Sequence, residues 1–177
     1  MIPKSLALGA GIIVLLAACS STKPQTTTRP NIVVTYSVLG SVVSDLVGDS
    51  ATVTVLIPDG QDPHEFQPSA RDIETINNAS IVISNGLKFE EGLLEVLATA
   101  EANGVPQYRV GDSITQRTIQ VERVVADPHM WLSPINFIQA LPSLTSAINT
   151  ATGLSLDPTT ESEQLKQLDN DVSVLMS

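Results

Sequence analysis

The tripeptide Asp-Pro-His occurs twice, as Asp62-Pro63-His64 and Asp127-Pro128-His129, and these are the only two histidines in the 177-residue chain. Imidazole is the commonest protein ligand for transition metals. A proline just ahead of each ring restricts the backbone that presents it. Two identical, rigid presentations of imidazole, far apart in sequence, suggest one site assembled from two loops. A divalent transition ion takes neutral imidazole nitrogen, at ~2.0–2.1 Å for zinc. The other ring nitrogen normally donates to a carboxylate or carbonyl, which sets the tautomer. Asp62 and Asp127 lie two residues before each His. Either they orient the rings in this way, or they only cap turns and bond backbone amides.

Elements must bring these loops together. Asn31 to Tyr36 is rich in β-formers (Ile32, Val33, Val34, Thr35) and predicts a strand. Val38 to Val47 has helical spacing and stops at Gly48. Val53, Val55 and Ile57 alternate in a second strand, Ala51 to Ile57. The turn-rich Pro58-Asp59-Gly60-Gln61-Asp62-Pro63 loop follows. Ser69 with Asp72 three residues on predicts a capping box, opening a helix that buries Ile73 and Ile76. Ser80 to Ser84 reads as a buried strand, Phe89 to Ala102 as a helix with Leu93, Leu94 and Leu97 on one side, and Gln107 to Val110 as a short strand. Thr118 to Val125 alternates as one strand through Ile119, Val121 and Val124, leading into the second Asp-Pro-His. Ser133-Pro134 opens a helix carrying Phe137, Ile138, Leu141, Leu144 and Ile148, which Pro142 should kink.

Strands alternating with helices predict an α/β fold: a single Rossmann-like lobe, residues 31–154, with a mainly parallel sheet flanked by helices. Ligand sites in such sheets lie at the carboxyl ends of strands. Both Asp-Pro-His loops follow predicted strands, so both rings are expected on the same edge of the sheet. A long helix over residues 155–177 begins at Asp157-Pro158 and carries Leu165, Leu168, Val172 and Leu175 to its end. A helix that stops in mid-pattern reads either as a truncated chain or as one with a partner beyond Ser177.

The first residues read as an address. Lys4 supplies positive charge, Leu6 to Ala18 is an apolar run of 13 residues, and Leu16-Ala17-Ala18-Cys19 ends it. That run is short against the ~20 residues needed to span a bilayer. Residues 1–18 are read as a lipoprotein signal peptide and Cys19, the only cysteine, as the lipidation site. A lone Cys in an exported chain has no internal disulfide partner. Several acyl chains on Cys19 would hold the protein at the extracytoplasmic face of the cell membrane. Residues 19–30, rich in Ser, Thr, Pro and Gln, read as a flexible tether.

Nine basic against nineteen acidic side chains give a formal net charge of −10. That disfavours nucleic acid as a partner, since it needs a basic footprint. An acidic field modestly concentrates cations, or serves only solubility.

The run Pro58-Asp59-Gly60-Gln61-Asp62-Pro63-His64-Glu65-Phe66-Gln67-Pro68, then Asn85-Gly86-Leu87, then Asp127-Pro128-His129-Met130-Trp131-Leu132, with Asp157-Pro158 opening a long helix, resembles the metal-binding solute-binding proteins of zinc and manganese ABC transporters. The resemblance implies two lobes joined by a rigid helix, with the metal (Zn2+ or Mn2+) held between them. It implies that His64 and His129 are the ligands from the first lobe and that residues 155–177 begin the inter-lobe helix. The family's other ligands, a His or Glu and an acidic residue, come from a second lobe that has no counterpart here. Water or local carboxylates such as Glu65 would have to complete the set. Trp131 is expected to pack beneath its loop.

The function expected is metal delivery to an ABC transporter permease in the membrane, with no enzyme activity. Two imidazoles lean toward zinc. A zinc hydrolase would also exploit open coordination positions, but the chain lacks a His-Glu-x-x-His helix. The remaining alternative is a surface lipoprotein serving adhesion or structure, with a vestigial metal site.

Overall fold

The computed structural model describes residues 29–120 and 124–176. The expected signal peptide and Cys19, most of the tether, and Val121 lie outside the described residues.

The core is a four-stranded, all-parallel sheet in the order β2-β1-β3-β4. Its strands are β1 (Asn31–Tyr36), β2 (Thr52–Ile57), β3 (Ile81–Ser84) and β4 (Gln107–Arg109). The central strands, β1 and β3, are apolar on both faces: Ile32, Val33, Val34, Ile81, Val82 and Ile83 are all buried. This continuous apolar pattern suits strands covered by helices on both sides, whereas the edge strand β2 is exposed or half-buried from Thr52 to Val55 and buried only at Leu56 and Ile57. Three helices connect successive strands: α1 (Ser37–Val47), α2 (Ala70–Asn77) and α3 (Leu94–Ala102).

The local signals behave as their chemistry requires. Ser69 and Asp72 form the reciprocal capping box, which satisfies free N–H groups at the start of α2. Gly48 ends α1 at positive φ. Within α1, Gly40 lies against β2, where an added Cβ would sit 2.5 Å from Val55 Cγ2. The helix approaches the sheet as closely as it does because this position has no side chain.

Three expectations are corrected. Ile73 is 37% exposed while Ile76 is buried, so α2 presents a narrower apolar face than its spacing implied. Leu94 is likewise 41% exposed. The preceding residues Glu91–Leu93 form a 3-10 turn, which rotates Leu94 away from buried Leu93 and Leu97. The largest difference is at residues 118–126. The expected single strand is an antiparallel pair, β5 (Thr118–Gln120) with β6 (Val124–Ala126), in register Ile119↔Val125. This two-stranded unit is separate from the parallel sheet.

Two long helices complete the molecule, α4 (Pro134–Thr152) and α5 (Thr159–Leu175). Pro134 occupies the first turn of α4, and Pro142 lies inside that helix. The buried stripe of α4 is Phe137, Ala140, Leu141, Leu144, Thr145 and Ile148, with Ile138 only partly covered. At α5, the Asp157 carboxylate accepts from both the N–H and the hydroxyl of Thr159. Leu165 packs against the core, but Leu168, Val172 and Leu175 are exposed. No helix among the described residues is long and apolar enough to cross a membrane.

Candidate metal centre

His64 and His129 meet. Their ring centroids are 5.7 Å apart, with the planes tilted by 58°. Two imidazoles bound through nitrogen to one tetrahedral zinc at ~2.0–2.1 Å would hold their centroids roughly 5 Å apart. The pair therefore stands close to the separation that one ion requires.

The two rings arrive by different routes. The His64 loop leaves the carboxyl end of β2, as expected for a parallel sheet. The His129 loop leaves β6, which belongs to the antiparallel pair. Both rings lie together at the carboxyl edge of the parallel sheet, over Phe89 and beside the end of β3. What is corrected is the route, since only the His64 loop leaves a strand of that sheet and the other ring is carried in by a hairpin.

Phe89 forms the floor beneath both rings, at 5.1 Å from His64 and 6.1 Å from His129, edge-on in each case. Tyr36 and Trp131 extend this aromatic base, with Phe89 5.3 Å from Tyr36 and 6.2 Å from Trp131. Trp131 is half-buried and packed against the core, and its Nε1 is a buried donor with no hydrogen-bond partner among the described residues. An apolar floor with rings half-open to solvent above it leaves the imidazole nitrogens accessible to an ion.

The two aspartates divide in role. Asp127 Oδ1 accepts the His129 backbone N–H at 3.0 Å and lies 2.8 Å from His129 Nδ1. With Nδ1 donating to Asp127, the lone pair of His129 is placed on Nε2. Those same hydrogen bonds, the backbone one foremost, hold the Asp127 carboxyl below its ordinary range. Asp62 accepts the His64 backbone N–H at 2.9 Å, which shapes the turn. The carboxylate nearest the His64 ring is that of Glu91, with Oε1 3.7 Å from Nδ1. That is beyond hydrogen-bond reach but within ion-pair range.

Glu91 and Phe89 carried no warning in sequence; both depend on an unusual turn. Gly86, Leu87 and Lys88 have φ of 77°, 55° and 62°. Three successive residues at positive φ, two of them not glycine, store strain that the surroundings must offset. The turn drops Phe89 under the imidazoles and sends Glu90 inward, where it is 1% exposed. Glu90 Oε1 accepts from the Thr35 hydroxyl at 2.5 Å and from the Asn85 N–H at 2.7 Å. Burial pushes the Glu90 carboxyl up despite these bonds. The first loop is seated on the same segment: a Cβ at Gly92 would overlap the Phe66 carbonyl oxygen.

Among the described residues, no group of three or more His, Cys, Asp or Glu is arranged to hold an ion. Glu65 is exposed and does not complete the set. The arrangement can therefore supply two neutral nitrogen donors to a divalent ion, one with its tautomer set by a carboxylate.

Comparison with known proteins identifies relatives of this chain. The iron ABC transporter substrate-binding lipoprotein MtsA of Streptococcus pyogenes is 33% identical over 144 residues, covering 76% of this chain and 46% of that protein. The manganese ABC transporter substrate-binding lipoprotein ScaA of Streptococcus gordonii is 30% identical over 133 residues, covering 70% of this chain and 43% of the relative. The chain thus spans less than half the length of these relatives. Among solved structures, the periplasmic zinc-binding protein TroA of Treponema pallidum superposes with a TM-score of 0.70 at 22% identity, over 81% of this chain and 54% of that one. Zn(II)-bound AdcA of Streptococcus pneumoniae gives 0.66 at 24% identity, over 81% and 32%. These likenesses show the fold. The family model described as zinc-uptake complex component A, periplasmic, matches residues 32–170, and the chain belongs to that family.

Proposed function

We propose that this chain is an extracytoplasmic solute-binding lipoprotein that captures a divalent transition metal through His64 and His129 and delivers it to an ABC transporter permease. The observation that carries this reading is the pair of imidazoles 5.7 Å apart over Phe89, one of them tied through Nδ1 to Asp127. The curated relatives MtsA and ScaA are substrate-binding lipoproteins of metal ABC transporters. Cys19 is the residue that would carry the lipid and hold the protein at the membrane's outer face.

Zinc is the ion we assign. Two neutral nitrogen donors suit zinc better than manganese, which prefers oxygen. The family description names zinc, whereas the relatives' own names include iron and manganese. The protein's part is binding and release, with no bond made or broken in the solute. Two imidazoles leave a four-coordinate site half-filled. Binding by this chain alone is therefore weak, with water in the open positions.

Isothermal titration of the chain with zinc, beside His64→Ala and His129→Ala, tests the reading. Each substitution should lower the affinity by at least about tenfold. Unchanged affinity in either variant would refute it.

A further inference from the structure

We propose that Asn85 is the positioning residue that fixes His129 opposite His64, by tying the Pro128 carbonyl to the carboxyl end of the parallel sheet. This rests on the reading of the two histidines as a metal-binding pair and names what sets their separation.

The need for such a residue comes from the topology. The His64 loop leaves β2, which the ladder with β1 holds in place. The His129 loop leaves β6, and among the described residues β6 pairs only with β5. Ladder bonds hold that hairpin to itself but do not tie it to the sheet. Side chains must make the tie, and Asn85 makes it one peptide unit ahead of His129.

Asn85, at the end of β3, is completely buried. Its Nδ2 donates to Pro128 O at 2.9 Å and to Gly86 O at 3.0 Å. Its Oδ1 accepts from the Tyr36 hydroxyl at 3.1 Å. Its backbone N–H donates to Glu90, and its carbonyl accepts from Gly111 N at 2.8 Å. Both carbonyl partners can only accept, so the amide orientation is set by its surroundings. No other side chain of this size donates twice and accepts once in that geometry: Asp lacks the donors and Leu lacks both. The Pro128 carbonyl belongs to the peptide that also carries the His129 N–H, and that N–H donates to Asp127. Holding one edge of this planar unit holds the other.

The test uses the full chain in detergent, with zinc as the probe. In metal-free Asn85→Ala, ring-to-ring NOEs from Phe89 to His129 should be lost while those from Phe89 to His64 persist. Zinc affinity should fall about tenfold. It should fall no further in Asn85→Ala/His129→Ala than in His129→Ala alone, because Asn85 acts through His129. Retention of the His129 NOEs, loss of both NOE sets, or an added affinity loss in the double variant would overturn the proposal. If Asn85→Ala does not fold, the wild-type protein decides: a scalar coupling from Asn85 Nδ2 to the Pro128 carbonyl carbon is expected, and its absence overturns the proposal. His129→Ala separates the two readings. Unchanged zinc affinity there sinks the metal assignment, while the NOE contrast still judges Asn85.

Discussion

Asp127 holds His129 at two points, its backbone N–H and its ring Nδ1, through a single carboxylate oxygen. Asp62, in the same tripeptide context, holds only the backbone of His64. The repeat in sequence is therefore not a repeat in mechanism. Asp127→Ala should weaken zinc binding by about 10–100-fold, as loss of a ligand-orienting carboxylate does. Asp62→Ala should weaken it less. Ring 15N shifts in Asp127→Ala should show a mixture of His129 tautomers where the parent protein shows one. A single tautomer retained in that variant would contradict the assignment.

Glu90 makes stability depend on pH. Burial raises its carboxyl above the ordinary Glu range in the folded state. The folded protein then binds its proton more tightly than the unfolded chain, so ν_N exceeds ν_U and the slope of ΔG with pH is negative. The contribution is fully present below the unfolded value, ~4.3, and is lost as pH rises through the raised folded value. Glu90→Gln should lack this decline, although it will be less stable overall because its amide turns a donor toward N–H groups. Urea unfolding of both proteins between the ordinary Glu range and neutrality measures the difference. Parallel profiles would show that Glu90 is not the group responsible.

Lys88 is exposed and sits at φ 62°. A non-glycine residue in left-handed conformation costs about 1–2 kcal/mol, partly offset by the extra backbone entropy that glycine loses on folding. Lys88→Gly should therefore stabilise the fold by about 0.5–1 kcal/mol, raising Tm by a few degrees. A lowered Tm would mean that the lysine side chain makes a contribution larger than the strain it imposes.

Gly92 lies under the first His loop, where any Cβ would overlap the Phe66 carbonyl oxygen. Gly92→Ala must push that backbone away, at about 1–3 kcal/mol for overpacking. It should shift the His64 resonances while leaving those of His129 in place. Zinc affinity should fall with the displacement, measured by the same titration.

Local features were legible in the chain because their causes are local. The Ser69–Asp72 capping box involves residues three apart and formed as read. The apolar runs of β1 and β3, the end of α1 at Gly48 and the proline opening α4 are likewise short-range. The two His contexts were visible as a repeated tripeptide. The stretch before His129 was misread because strict alternation has the same period in one strand and in the two arms of a hairpin. Ile73 and Leu94 were misassigned because helical spacing gives a face but not its width, and a 3-10 turn rotates the helix that continues from it.

From its residues alone, this chain announced an α/β fold and a pair of imidazoles in matched settings, since periodicity and residue type carry that information. Only the folded structure decided how the pair is assembled. Phe89 beneath both rings, Glu91 beside one, and Asn85 binding the hairpin to the sheet are contacts between segments distant in sequence. Such contacts leave no period to read. The inward turn of a charged residue at Glu90 even runs against its polarity, and it stands because Thr35 and Asn85 supply the donors that water would otherwise provide.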